Sequence, residues 1–332
     1  MTREFNLKRD VLQKGLCTLC GACMDWCPYL KNLEDHLVMP FDCLAQEGRC
    51  IAVCPRIPTD WEEVRKRFFA EKETDPDLGV VAGIYKVRAK NPVHHSQDGG
   101  SVSALLLHGL GAGLAESALL TRSAGGLTPE PFLAKTPEEI REAAGSRYFV
   151  AAGLRLLSSP EASSDKAIMV VGRPCQIRAL RKIQLYEESK GIPRQFFSIG
   201  LFCTWQLSWS FGDFLSREFP EKTIQRITIP RHGLEVDFGE GSRSVSMDTV
   251  RAHTRPACQS CSDMGAELAD ISAGAFEEEK GWNTLIVRSE AGMHWFEGAR
   301  SRGDLLVEAY PEGELGRLKQ AARNKAQRKA SV

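Results

Sequence analysis

The chain has 332 residues, 42% of them hydrophobic, and its 43 Lys and Arg balance 43 Asp and Glu to a formal net charge of zero. That length suits two domains with a sizeable core, and the even charge argues against nucleic acid as the main partner, because phosphate binders carry a basic excess. There is no N-terminal apolar run with a cleavage site and no apolar span of the ~18 residues a membrane helix needs, so the expectation is a cytoplasmic chain with no signal peptide and no membrane span. Eleven cysteines are the anomaly. In such a compartment they point to metal rather than disulfides, and an odd count leaves one thiol over if all pair.

The first motif is Cys17, Cys20, Cys23 and Cys27 followed by Pro28. The spacing C-x2-C-x2-C-x3-C-P is the run of bacterial ferredoxins. Two-residue gaps let a tight loop aim successive thiolates at one iron–sulfide cube. The fourth cysteine faces away and serves a second cluster. Gly21 gives the loop room to curl. A structural zinc site is the plainer alternative. Cys50-x3-Cys54-Pro55 matches the end of a second run, with Cys43 seven residues before Cys50. By the crossed pattern, Cys17, Cys20, Cys23 and Cys54 hold one cluster. Cys27, Cys43 and Cys50 hold the other, one ligand short. Asp42, Glu47, a water or a partner residue would complete it; a three-iron cluster or an empty site are the alternatives. Residues 1–75 read as a small ferredoxin-like iron–sulfur domain, with Glu71–Asp77 as its exit linker.

The remainder reads as α/β. Gln97-Asp98-Gly99-Gly100-Ser101 precedes a helix over Ser101–Leu114. Paired glycines there allow close approach of an anionic or flat ligand, and the helix start offers N–H groups; an ordinary turn is the plainer reading. Ala167–Val171 reads as a buried strand, followed by a turn at Gly172–Pro174 and a helix to about Glu187. Phe196–Phe202 is a second buried strand. Ile224–Ile229 and Leu234–Phe238 suggest a hairpin turning at Arg231–Gly233, and Thr284–Arg288 a late strand. The basic tail from Arg317 to Lys329 is helix-prone and reads as a solvated face, with a docking strap for an acidic partner as the alternative. Cys175 opens a helix after a strand, Cys203 closes another strand, and Cys258 and Cys261 form a C-x2-C pair. Strand ends on one edge of an α/β sheet lie close together, so these four either complete a further cluster or are buried inert thiols.

Taken together, the segments Gln97–Leu106, Gly172-Arg173-Pro174-Cys175-Gln176, Gly200–Cys203, Arg255–Cys261 and Ala266–Ser272 resemble the beta subunit family of coenzyme F420-reducing hydrogenase and dehydrogenase, over about residues 80–300. The resemblance implies an α/β (α+β) flavoprotein domain over 80–310, preceded by the ferredoxin-like extension and followed by a basic helical tail, 311–332. It implies FAD, two to three 4Fe–4S clusters in all, and cluster ligation by Cys175, Cys203, Cys258 and Cys261. The flavin contacts it suggests are Gln97, Asp98, Gly99, Gly100 and Ser101, with Gly172, Arg173, Gln176, Asp263 and Glu267. The implied role is an oxidoreductase subunit relaying electrons between a hydride carrier, F420 or similar, and a partner of hydrogenase, formate dehydrogenase or heterodisulfide reductase type. A free-standing reductase resembling chlorophyllide vinyl reductases, or a flavin-free wiring adaptor, are the alternatives. No side chain is assigned as catalytic acid or base. Arg173 stands where many members have Thr, which suggests flavin tuning or a phosphate contact.

Overall fold

The computed structural model describes residues 5–43, 48–163, 166–220, 222–229 and 233–330. Its centre is one mixed sheet of eight strands. These are β1 (Gly83–Ala89), β2 (Ser117–Ser123), β3 (Pro129–Ala134), β4 (Ile168–Gly172), β5 (Phe196–Leu201), β6 (Ile271–Ala275), β7 (Asn283–Val287) and β8 (Leu305–Ala309), in the spatial order β8-β1-β7-β6-β5-β4-β2-β3. From β2 through β4 and β5 to β6 the pairing is parallel. The flanking strands are antiparallel. β4 is an unbroken apolar run because it is covered on both faces, as parallel strands are.

Parallel neighbours need crossovers. Helix α2 (Pro174–Ser189) carries β4 to β5, starting on Pro174 at its first position, where a missing N–H costs nothing. On one face of the sheet, α1 (Ser101–Gly111) and α3 (Glu290–Ser301) pack with Leu105, Met169, Ile199, Trp295 and Phe296 in a common core. On the other face, Leu154, Leu180 and Ile183 share a core with Cys20, Ala22 and Val53 of the N-terminal segment. The N-terminal segment is therefore seated on the α/β body. The N–H of Leu154 donates to the Cys20 carbonyl at 3.0 Å, and Lys182 Nζ donates to the Cys54 carbonyl at 2.8 Å.

Two sequence expectations change, and a third, the hairpin, holds and is extended. Glu71–Asp77 is not a free linker. The Asp75 carboxylate accepts the N–H groups of Asp77 and Leu78, building a turn of the Asx type, and Thr74–Asp75 pairs with Gly79–Val80. The hairpin is part of a three-stranded sheet, Arg226–Thr228, Leu234–Asp237 and Ser242–Val245; Arg231 and His232 of its connection lie outside the described residues. The tail forms helix α4 (Glu312–Ala330) but is not simply solvated. Ala322 is buried with Leu78, Met264 and Ile286. Lys319 and Arg323 meet Asp75 and Asp77 at 2.5 and 2.7 Å, and Lys325 is buried. The acidity read as a linker signal is the surface that receives the basic tail.

Asp270 ties the layers together. Its carboxylate accepts from the N–H and Oγ of Ser198, from Ser289 Oγ, and pairs with Arg181 of α2 at 3.1 Å. α1 gains its close seat from Gly109, where a Cβ would stand 2.6 Å from Met169 Sδ and 3.0 Å from Trp295 Nε1. Gly109→Val should therefore destabilise the chain by about 1–3 kcal/mol through overpacking. Thermal unfolding should read this as a lowered midpoint; an unchanged midpoint would contradict this packing of α1.

Candidate functional site

All parallel strands end on one edge of the sheet, and the connections that leave β4 and β5 carry Cys175, Cys203, Cys258 and Cys261. Cys175 stands in the first turn of α2, directly after β4. Cys203 follows β5, its N–H donating to the Met264 carbonyl at 3.0 Å. Cys258 lies on the short helix Pro256–Gln259, and Cys261 comes just after it. These four thiols line one cavity, together with Arg56, Gln206, Arg255 and Lys325. Beside it, Cys17, Cys20, Cys23 and Cys54 line a second cavity. Thr18 and Arg56 belong to both walls. The crossed set of ligands expected from spacing is thus the set that shares this cavity.

Cys27, Cys43 and Cys50 form a third group: Cys50 lies within electrostatic reach of both others. The Asp42 carboxylate is paired with Lys8 at 2.5 Å, and Glu47 lies outside the described residues. All eleven cysteines are free thiols. Among the described residues, no three His, Cys, Asp or Glu side chains converge as a single metal ion requires. Zinc draws its sulfurs to about 2.3 Å from one point.

Burial pushes the Cys17, Cys20, Cys23, Cys54 and Cys258 thiols up, and that of Cys203 to about 12. Neighbouring thiols add to the rise at Cys20, Cys23 and Cys203. A thiolate here needs a cation or iron to replace its proton. Lys325 supplies one charge: its Nζ donates to the Cys203 carbonyl at 2.5 Å.

The other candidates divide between two places. Gly172, Arg173 and Gln176 lie next to Cys175 along the chain, at the end of β4 and the start of α2. The Arg173 guanidinium is buried and each nitrogen has an own-chain acceptor: Gln176 Oε1, Gln206 Oε1 and the Ala151 carbonyl. It acts electrostatically on Cys203 and Cys258. Asp263 and Glu267 also lie toward the cysteines. Asp263 pairs with Arg178 at 3.2 Å, and its own carbonyl faces Cys261 Sγ at 3.6 Å. The Glu267 carboxyl is pushed up to about 7, first by burial and then by the Asp263 charge.

Gln97 to Ser101 sits at the same sheet edge, beyond β1 and beside Asn283 of β7. Gly100 takes φ +68, which favours glycine. The start of α1 is partly satisfied internally, because Asn283 Oδ1 accepts from both the N–H and Oγ of Ser101. A Cβ on Gly99 would stand 2.8 Å from that same oxygen. Nearby, Arg226 donates to the carbonyls of Ser96 and Gln97. Burial pushes the Asp98 carboxyl up and the Tyr148 hydroxyl to about 12. Ser96 Oγ and Arg147 Nε are buried with no partner among the described residues.

Sequence reasoning gave no role to Arg56 or Arg255, and read Lys325 only as part of the basic tail. The signal for two of them was their place beside prolines in the cysteine motifs, Cys54-Pro55-Arg56 and Arg255-Pro256-Ala257-Cys258. Nothing local marks Lys325.

The fold and the site define a mixed α/β protein whose sheet edge carries two adjoining four-cysteine cavities. Two family models match it: Coenzyme F420 hydrogenase/dehydrogenase, beta subunit N-term, over residues 84–158, and the C terminus of the same beta subunit, over residues 165–312. The chain belongs to that beta-subunit family. It is 29% identical to the coenzyme F420 hydrogenase subunit beta of Methanococcus voltae over 216 residues, 61% of this chain and 75% of that one. It is 26% identical to the coenzyme F420-dependent sulfite reductase of Methanocaldococcus jannaschii over 301 residues, 85% of this chain but only 46% of that protein. A chain in the F420-reducing [NiFe] hydrogenase complex from Methanosarcina barkeri superposes with a TM-score of 0.72 at 25% identity, covering 78% of this chain and 93% of that one. No helix among the described residues is long and apolar enough to cross a membrane.

Glu267 yields a pH prediction. Its folded value of about 7 exceeds the ordinary 4.5, so the native state holds a proton that the unfolded state has already lost between these values. Stability falls as pH rises through that window. Glu267→Gln should raise stability above pH 7 by on the order of 1–3 kcal/mol and bring no gain below the ordinary carboxylate range. Unfolding midpoints of both proteins at pH 4.5 and pH 8 check this; a pH-independent difference would contradict it.

Proposed function

We propose that this chain is an iron–sulfur flavoprotein subunit that relays electrons between a hydride carrier, F420 or similar, and a partner redox enzyme. One observation carries the reading. Cys175, Cys203, Cys258 and Cys261 come from separate stretches of the chain and share one cavity, beside a second cavity lined by the ferredoxin-type set. Cys175, Cys203, Cys258 and Cys261 would hold one 4Fe–4S cluster, Cys17, Cys20, Cys23 and Cys54 a second, and Cys27, Cys43 and Cys50 a further, incomplete one. Membership of the family supports FAD at the same sheet edge. Bound FAD exchanges electron pairs with a hydride carrier and single electrons with clusters.

For the flavin, the chain offers the Gln97–Gly100 backbone, with Ser96 Oγ and Arg147 Nε, which have no partner among the described residues. Since Asn283 occupies the Ser101 amide, the loop rather than that amide would carry the contact. Arg173 stays with the cysteines, where its charge offsets that of thiolates. The Cys27 side leads outward: Trp26 and Tyr29 beside it are exposed, a fitting exit toward a partner of hydrogenase, formate dehydrogenase or heterodisulfide reductase type. The match to part of an F420-dependent sulfite reductase favours, as a second reading, an electron-input module for a reductase of another substrate.

Anaerobically purified protein should contain about twelve irons and as many acid-labile sulfides if three cubane sites fill, or about eight of each if the Cys27 site is empty. One FAD per chain should be released by acid. Cys258→Ala should lose about four irons while the ferredoxin-type signal persists. Zinc without sulfide would overturn the cluster reading, and absence of flavin would reduce the chain to a wiring adaptor. Reduction by F420H2 but not by NAD(P)H would support the carrier; the reverse would contradict it.

A further inference from the structure

The two four-cysteine sites exchange arginines. Arg56 follows Cys54 and Pro55, in the loop of the first site. Its guanidinium reaches the second site, donating to the carbonyls of Ala257 and Ser260, which neighbour Cys258 and Cys261. Arg255 precedes Cys258, in the loop of the second site. Its guanidinium reaches the first, donating from Nη2 to the Cys17 carbonyl at 3.1 Å and from Nη1 to the Asp35 carbonyl at 2.7 Å. Both arginines line the Cys175 cavity, and Arg56 lines the Cys17 cavity as well. Each also keeps a buried Nε–H with no partner among the described residues. Loop bracing alone uses only the Nη groups. A buried donor left over on both arginines, at the walls of cavities lined by thiols, fits sulfur acceptors that arrive with a cluster.

We propose that Arg56 and Arg255 are positioning residues for direct electron passage between the two cysteine sites: they fix the sites as one unit and place positive charge between them. The proposal rests on the cluster reading above. In the step concerned, one electron leaves the cluster of one site and enters that of the other. No bond forms or breaks and no proton moves. Each reduction adds a negative charge, so a nearby cation favours the reduced state. The two cations are not equal. Arg255 is paired with Asp35 at 3.1 Å, which cancels much of its charge. The partners of Arg56 among the described residues are backbone carbonyls, so its charge remains. Cys17 lies within electrostatic reach of both arginines and of Cys175.

The test uses the full chain with its clusters. Iron and sulfide are counted in the wild type, Arg56→Gln, Arg56→Lys and Arg255→Gln, and each is titrated by electron paramagnetic resonance. Arg56→Gln should keep its iron and shift the reduced-to-oxidised ratio of both clusters at a fixed potential by about tenfold, which is about 59 mV for one electron. Arg255→Gln should shift it less. Arg56→Lys should restore the potentials but, with fewer carbonyl bonds, weaken the magnetic interaction between the two reduced clusters. If Arg56→Gln loses iron, the Lys variant carries the test, and an unaltered magnetic interaction in it overturns the proposal. Variants with full iron and unmoved potentials also overturn it while leaving the cluster reading intact. A wild type without iron overturns that reading, and the proposal with it.

Discussion

Four parallel strands point their carboxyl ends at one edge of the sheet, and the site depends on that constraint. Parallel pairing forces each crossover to return to the opposite edge, so every loop that leaves a strand is gathered on the same side. Cys175 and Cys203 arrive there just past the ends of β4 at Gly172 and β5 at Leu201. The long connection from β5 to β6 brings Cys258 and Cys261 back to them. The Asp270 carboxylate, at the amino end of β6 and so away from this edge, ties β5 to α2 and to the start of α3.

Gathering so many thiols in a buried place has an electrostatic cost, and the chain meets it with cations from distant segments. Burial raises the thiols, so ionised sulfur is unfavourable there without positive charge nearby. Arg56 comes from the N-terminal segment, Arg173 from the turn after β4, Arg255 from the long connection and Lys325 from the tail. Each makes a hydrogen bond to the loops that bear the cysteines or to their walls, so charge and geometry are supplied together. The tail helix is thereby part of the site. Its outer basic residues pair with Asp75 and Asp77, and this seats Lys325 at the Cys203 carbonyl.

The cysteine spacings were legible because local gaps are read straight off the chain, and the four cysteines grouped by spacing, Cys17, Cys20, Cys23 and Cys54, line one cavity. The strands β4 and β5 were legible as apolar runs bounded by turn residues. The roles of Arg173 and Lys325 were not, because an arginine in a capping turn and a lysine in a basic helix look the same whether they face solvent or sulfur. The acidic stretch around Asp75 misled for a related reason: side chains that cap their own backbone and receive a distant helix have the composition of a linker. Paired glycines at Gly99 and Gly100 suggested open backbone, but Asn283, nearly two hundred residues away in sequence, fills part of that space. Contacts of such long range leave no local periodicity to read.

The central claim is that the N-terminal motif and the sheet-edge cysteines form two adjoining iron sites in one rigid body. Diffraction from crystals of the anaerobically purified chain, collected at the iron absorption edge, tests this most directly. The expected anomalous map has one strong peak among Cys17, Cys20, Cys23 and Cys54 and another among Cys175, Cys203, Cys258 and Cys261, with the Arg56 side chain between them. A map with iron in the first set alone, or with the two sets apart and Arg56 turned to solvent, would contradict it.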